Sequence, residues 1–294
     1  MPVNHITFIL NPAAAKQEPI LSMINKAMQD FAGEYDIVVT SKGRGPAVVA
    51  LEVMDHTDLL VVYGGDGCVT EVAAVLKGSK LPLAILPGGT ANVMAKELGM
   101  PMDTAQALKI LKNESYEVAP VDMGTMNGEP FLLRVNIGIM ADMVITADRD
   151  LKDNIGQLAY GITAIKTVST AEPVEYRMEI DGEKITEKGV SLTITNSGHI
   201  GIGEFSLHPE ISISDGSLDV ILMKDSNLLS VLKIAGNTLL NSATDALLHW
   251  KCKSFIVHMD APVNLICDDR EVESQQIEIK VLPAAIKLLV PLKN

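Results

Sequence analysis

Two short stretches carry the residues best suited to chemistry, VVYGGDGCVTEV (61–72) and LPGGTANVMAKELGM (86–100). In each, an apolar strand-like run ends in glycines and a helical pattern follows. Gly64, Gly65 and Gly67 surround Asp66, and Gly88 and Gly89 precede Thr90 and Asn92. Glycines permit positive φ and close approach to the backbone. The first N–H groups of the following helix attract anions. This composition points to a phosphate cradle, with Asp66 set to orient Mg²⁺ through its hydration shell. Thr90 is expected to cap the second helix and to donate to a phosphate oxygen. For either loop alone, an ordinary strand-to-helix turn competes with this reading. Two such loops at one sheet edge favour the phosphate reading.

The elements that must hold these loops are legible around them. ITFIL, YDIVV, DLLVVY and PLAIL are short, near-continuous apolar runs, as in a parallel sheet covered on both faces. Between them Ile20, Leu21, Ile24, Met28 and Phe31 recur at helical spacing, and 46–55, 69–77, 91–98 and 104–112 also read as helices. The β-α-β-α order predicts an α/β domain with a doubly wound parallel sheet over 1–123. Asn11 after the first strand and Thr40 after the second would join the glycine loops at the carboxyl ends.

From 124 to 284 strand-like runs dominate: FLLRVNIG, PVEYRMEID, VSLTITN, SLDVILMK, KSFIVHM, APVNLIC and QIEIKVLP. They predict a mainly antiparallel β-sandwich or barrel, interrupted by helices near 153–170 and 226–244. Asp181-Gly182 and Asp215-Gly216 are hairpin-type dipeptides. The closing apolar run, 285–294, is expected to return to the first sheet.

Composition narrows the function. The chain has 294 residues, 47% of them hydrophobic, and a formal net charge of -13. That charge argues against nucleic acid as a partner. The longest apolar runs are strand-length, and the N-terminus reads as a strand with no signal peptide. Three scattered cysteines, Cys68, Cys252 and Cys267, suggest neither a disulfide framework nor a zinc site, so a cytoplasmic location is expected. There is no GxxxxGK[ST] and no GxGxxG after the first strand, which leaves P-loop NTPases and NAD(P) dehydrogenases poorly supported.

The two glycine segments resemble the GGDGTxNE and PxGTxN segments of the diacylglycerol kinase catalytic-domain family, which includes soluble bacterial lipid kinases and sphingosine kinases. The resemblance runs through most of the chain. It takes in Asn11-Pro12; Lys152, Gly156, Leu158, Ala159 and Tyr160; Asn196, Gly201, Gly203 and Pro209; the DGSLD turn at 215–219; and VLPAAIKLLVP near the end. It implies transfer of the ATP γ-phosphoryl group to a lipid hydroxyl, with a diacylglycerol-like acceptor as the default. ATP and Mg²⁺ would be held by Asn11, Thr40, Gly64, Gly65, Asp66, Gly67, Glu71, Thr90 and Asn92. A second, structural Mg²⁺ would sit on Asp215 and the carbonyls of Ser212 and Ser217, with Asp219 reached through water. A membrane surface presenting the lipid is the implied partner, touched peripherally, and a homodimer is open.

This chain departs from the family at Cys68, at Thr70, and at Ala15 in the first motif. Its DGE turn, which bears the family's general base, reads Cys267-Asp268-Asp269-Arg270-Glu271. Setting Asp269 and Glu271 on the two acids makes Glu271 or Asp269 the base, whereas setting Asp268 on the Asp loses the Glu. We favour the first register. A kinase for a sphingoid base or another lipid alcohol, a kinase for a soluble acceptor, and a nucleotide- or lipid-binding protein with little catalysis are the alternatives.

Overall fold

The structure is a computed structural model that describes residues 3–16, 18–142, 172–199, 206–224 and 247–292. The chain divides into two compact units, Met1–Met123 with Pro283–Asn294, and Gly124–Leu282. The helices expected at 153–170 and 226–244 lie outside the described residues, as do Lys152, Gly156, Leu158, Ala159, Tyr160, Gly201 and Gly203.

In the first unit β1 (His5–Leu10), β2 (Glu34–Val39), β3 (Leu59–Gly64) and β4 (Pro82–Pro87) form a parallel sheet in the order β4-β3-β1-β2. All six residues of β3 are buried, while edge strand β2 alternates toward solvent. Central parallel strands need apolar side chains on both faces, and an edge strand does not. Helices α1 (Ile20–Ala27) and α5 (Thr104–Lys112) cover the face that carries Phe8, Val61 and Leu86. Helices α2 (Pro46–Val53) and α3 (Asp66–Leu76) pack on each other and touch β1 and β3 respectively. α4 (Val93–Glu97) is a short turn after β4. The end of the last strand, β14 (Arg270–Pro291), runs parallel to β4 through Lys287↔Pro82 and Leu288↔Leu83. The closing run thus joins the first sheet.

Two local expectations shift here. α1 stops at Ala27, with Met28 as its C-cap, so Phe31 reaches the core from the following turn. α3 begins at Asp66, not near 69, with extended Gly65 as its N-cap. An acidic residue in a first turn is favoured by the helix dipole, which offsets the low helix propensity of Gly67.

The second unit is antiparallel. β7 (Arg134–Gly138), β10 (Ser191–Thr195), β11 (Leu218–Met223), β12 (Leu247–Cys252) and β13 (Ser254–Cys267) lie in the order β12-β11-β10-β7-β13, with the first part of β14 beyond β13. β8 (Val174–Ile180) pairs with β13 and β9 (Glu183–Gly189). Asp181 and Gly182, both at positive φ, make the expected hairpin turn between β8 and β9. Tyr176, Met178 and Ile180 of β8 share one core with Val135, Ile137, Leu192, Val220 and Leu265. This is the expected antiparallel sandwich.

FLLRVNIG is not one strand. β6 (Glu129–Phe131) ends, the chain bends at Leu132-Leu133, and β7 starts at Arg134. The reason is the Asp268 carboxylate, which takes the N–H groups of Leu132, Leu133 and Arg134 and so diverts them from a ladder. KSFIVHM and APVNLIC, by contrast, are one strand with a register shift between His258 and Val263. Pro262 stands in that shift, where a missing N–H is tolerated. Residues 211–214 are not strand, so Asp215-Gly216 is a loop turn and not a hairpin. β5 (Tyr116–Met126), β9 and β12 are strands that the periodicity of their residues did not announce.

Candidate functional site

In the first unit the parallel register brings all four loops to one sheet edge. Asn11 N donates to Tyr63 O at 3.0 Å, Thr40 N to Leu10 O at 2.8 Å, and Gly88 N to Gly64 O at 2.9 Å. The two glycine loops lie against each other. A Cβ built on Gly89 would fall 2.4 Å from Gly65 Cα. The glycines are therefore required by loop-to-loop packing, a demand that exists before any ligand arrives.

Asp66, half-buried at the first turn of α3, accepts the Met94 N–H at 3.2 Å and so ties the start of α3 to the start of α4. Early in α3 the N–H groups of Cys68 and Val69 donate to Gly65 O, at 3.1 and 3.3 Å. Gly65, Asp66 and Gly67 are half-buried, so this turn meets solvent. Asn92 is spent on loop shape. Its Oδ1 accepts Gly89 N at 2.9 Å, its Nδ2 donates to Gly89 O at 2.8 Å, and it sits at φ 48 as the N-cap of α4. Thr90 is exposed and does not cap that helix, a correction to the expectation drawn from its position.

Asn11 folds an Asx turn, its Oδ1 accepting Ala13 N at 3.0 Å, and donates from Nδ2 to the Cys68 sulfur at 3.1 Å. Thr40 is buried. Glu71 is exposed and accepts Ala47 N at 3.4 Å, at the first turn of α2. Thr70 donates back to Gly67 O at 3.0 Å. Lys16 N reaches Gly88 O at 3.3 Å, which fastens the Asn11 loop to the second glycine loop.

The second unit has a polar face that the sequence reading missed. Opposite residues in a ladder share a face. One row runs Arg134, Thr195, Asp219, Lys251 and the next Asn136, Thr193, Ile221, His249, continued by Ile266 and Glu271. Arg134, Asn136, Thr193, Thr195 and Asp219 are buried. Thr193 Oγ1 donates to Asn136 Oδ1 at 2.9 Å, and Asn196 Nδ2 to Leu132 O at 3.1 Å. The signal was present as alternation in RVNIG and SLTITN, polar residues at every second position of buried strands.

The turn at 268–269 joins β13 to β14. Asp268, at φ 54, is held by Leu132 N at 2.9 Å, Leu133 N at 2.8 Å and Arg134 N at 3.0 Å. Burial pushes its pKa up, against the opposing pull of these donors. Asp269 and Glu271 are exposed, and Glu271 pairs with Ile266 on the polar face. Arg270 donates to Pro130 O at 3.1 Å and to the Cys267 sulfur at 3.5 Å.

The DGSLD turn already holds a cation. Asp215 Oδ1 accepts Ser217 N at 3.0 Å, and its Oδ2 takes the Lys251 ammonium, which also donates to Glu210 O at 3.0 Å. Ser212 Oγ accepts Ser214 N at 3.4 Å. Asp219 is fully buried, and its Oδ1 meets His249 Nε2 at 2.6 Å. Burial raises the Asp219 pKa, with His249 and Lys251 opposing.

Known proteins resolve the kinship. Residues 5–126 match the model of the diacylglycerol kinase catalytic domain, and 134–290 match that of the YegS C-terminal NAD kinase beta sandwich-like domain. A probable lipid kinase YegS-like of Pseudomonas aeruginosa (strain UCBPP-PA14) is 30% identical over 99% of this chain and 96% of its own. The diacylglycerol kinase of Bacillus subtilis (strain 168) is 30% identical over 60% of this chain, and an uncharacterized Synechocystis sp. protein is 30% identical over 80%. The matched region spans only 59% and 55% of the length of those two relatives. The solved structure of a diacylglycerol kinase from Bacillus anthracis str. Sterne has the same fold, with a TM-score of 0.78 at 23% identity over 98% of this chain and 97% of that one. With both domain models matched in order and a relative aligned across nearly the whole length, the chain belongs to the lipid kinase family that joins a diacylglycerol kinase catalytic domain to a YegS-type β-sandwich.

Proposed function

We propose that this protein is an ATP- and Mg²⁺-dependent kinase that phosphorylates the hydroxyl of a diacylglycerol-like lipid at a membrane surface. The observation that carries the reading is the pair of interlocked glycine loops at the carboxyl edge of the parallel sheet, with Asp66 at the helix start between them. The donor set fits the ligands. The N–H groups of the first turn of α3 suit phosphate oxygens. The Asp66 carboxylate is a hard oxygen ligand of the kind Mg²⁺ takes. Asn11 and Glu71 hold the loops around this turn, and Thr90 stands exposed beside it.

The residues then divide the work of phosphoryl transfer, which is mainly positioning and charge neutralisation. The interlocked loops keep the phosphate-facing backbone rigid. Mg²⁺, when bound, offsets the charge that develops on the phosphoryl oxygens. Glu271, exposed on β14, accepts the proton of the acceptor hydroxyl, and Asp269 at the turn tip is the other acid within the same hairpin. Asp268 positions that hairpin through its three backbone donors. No step is assigned to a metal at the DGSLD turn, because Lys251 already neutralises Asp215 there. Among the described residues no helix is long and apolar enough to cross a membrane, which is compatible with a peripheral visit to the lipid.

Transfer of labelled γ-phosphate should be measured against diacylglycerol, monoacylglycerol, sphingosine, ceramide and phosphatidylglycerol in mixed micelles. Labelling of one lipid, absent with a water-soluble alcohol panel, supports the reading and names the acceptor. Labelling of soluble acceptors alone contradicts it.

A further inference from the structure

Beyond the kinase reading, and independent of it, we infer that His208, Glu210 and His249 form a binding site for a divalent transition-metal ion of the Zn²⁺ class in the second unit. One ligand atom from each residue lies within 4.8 Å of the others. The two imidazole rings are tilted at 36° with centroids 4.1 Å apart. Two histidines and one carboxylate are a frequent ligand set for Zn²⁺, and imidazole selects it over Mg²⁺.

The surroundings of His249 point to the same ion. His249 Nε2 lies 2.6 Å from Asp219 Oδ1. A carboxylate can only accept there, so Nε2 carries the proton and Nδ1 keeps the lone pair. A carboxylate behind a histidine is the usual outer partner of a metal ligand. His208 Nδ1 accepts the Glu210 N–H at 3.3 Å, a long contact that keeps the ring beside Glu210.

Asp219 supplies an independent sign. It is fully buried, and its Oδ2 has no hydrogen-bond partner among the described residues. A buried carboxylate with one oxygen unserved is costly unless positive charge stands nearby. An ion on His249 Nδ1 would provide it through the ring. The local charge also balances. Glu210, Asp215 and Asp219 oppose the single Lys251, which leaves two negative charges for a divalent cation.

The site would fasten the 206–217 loop, through His208 and Glu210, to β12. Among the described residues β12 is an edge strand, paired only with β11. The site shares Asp219 with the DGSLD turn but not Asp215, whose carboxylate Lys251 occupies.

The test is Zn²⁺ titration of the untagged, EDTA-treated full chain by calorimetry, with thermal unfolding in parallel and Co²⁺ absorption as a report on geometry. The expected result is one tight Zn²⁺ per chain, a rise in Tm on loading, and Mg²⁺ at the same concentration without either effect. His208→Ala and Glu210→Gln should each weaken Zn²⁺ binding at least tenfold. Both side chains lie off the core, so their circular dichroism should match the wild type. Undiminished Zn²⁺ uptake in a folded His208→Ala/Glu210→Gln double variant, or no uptake by the wild type, would overturn the assignment.

Discussion

A Cβ placed on Gly89 would lie 2.4 Å from the Cα of Gly65. Two loops separated by more than 20 residues of sequence are thereby locked face to face at the end of β3 and β4. A side chain at Gly89 must part them, while a Cβ on Gly65 would press at 3.3 Å on Gly89 Cα. Gly89→Ala is accordingly predicted to cost about 1–3 kcal/mol, the usual range for overpacking, and to weaken nucleotide binding. Gly43→Ala, where a Cβ meets nothing within 4 Å, should be near neutral. Urea unfolding and ATP titration of the two variants check the contrast, and equal stability would show that the loops yield freely.

Asn92 braces the same loop with both ends of its amide. Asn92→Ala removes two hydrogen bonds and leaves a side chain at φ 48 that alanine dislikes. A loss of about 1–3 kcal/mol is expected, and Asn92→Asp, which keeps the acceptor, should recover part of it in the same unfolding assay.

These two residues also show what the sequence could and could not disclose. The strand-glycine-helix grammar located both loops, because the periodicity changes from sheet to helix at the glycines. It could not disclose that the glycines serve each other, since the partner of a close approach lies far away in sequence. The same limit hid the break in FLLRVNIG, which depends on a carboxylate more than 130 residues downstream. The polar face of β7, β10 and β11 was visible as alternation, yet only the ladder register joins RVNIG to SLTITN and SLDVIL as one surface. The His208, Glu210 and His249 cluster was invisible for the same reason, its members being spread over two elements.

Asp268 should matter for stability. Burial raises its pKa above the ordinary carboxylate value in the folded state. The folded state therefore holds a proton that the unfolded chain has released. The stability this group contributes is fully present below the unfolded pKa and is lost as pH rises through the raised folded one. Asp268→Asn does not titrate. The stability of the wild type relative to Asp268→Asn is predicted to fall as pH rises from the ordinary carboxylate range through the raised folded value, read from urea midpoints. A relative stability that grows with pH would mean that the three N–H donors outweigh burial.

The hairpin acids give a test of register. Glu271→Gln should lower kcat by roughly 10²- to 10⁴-fold, with the KM for ATP little changed, because the role proposed for the lost group is on the acceptor hydroxyl. Asp269→Asn should have the smaller effect. The reverse order would place the base at Asp269, and no effect from either would remove the hairpin from the chemistry.

The interlocked glycine loops and Asp66 are the proposed phosphate and Mg²⁺ site. The most direct measurement is Mg²⁺-dependent transfer of labelled γ-phosphate to lipid in mixed micelles by the wild type and by Asp66→Asn. That variant keeps a side-chain oxygen for the Met94 N–H, so the loop junction should survive. The wild type should label lipid, and the rate should fall about 10²-fold or more in Asp66→Asn, with unchanged unfolding. Equal turnover by a well-folded Asp66→Asn protein would contradict that assignment.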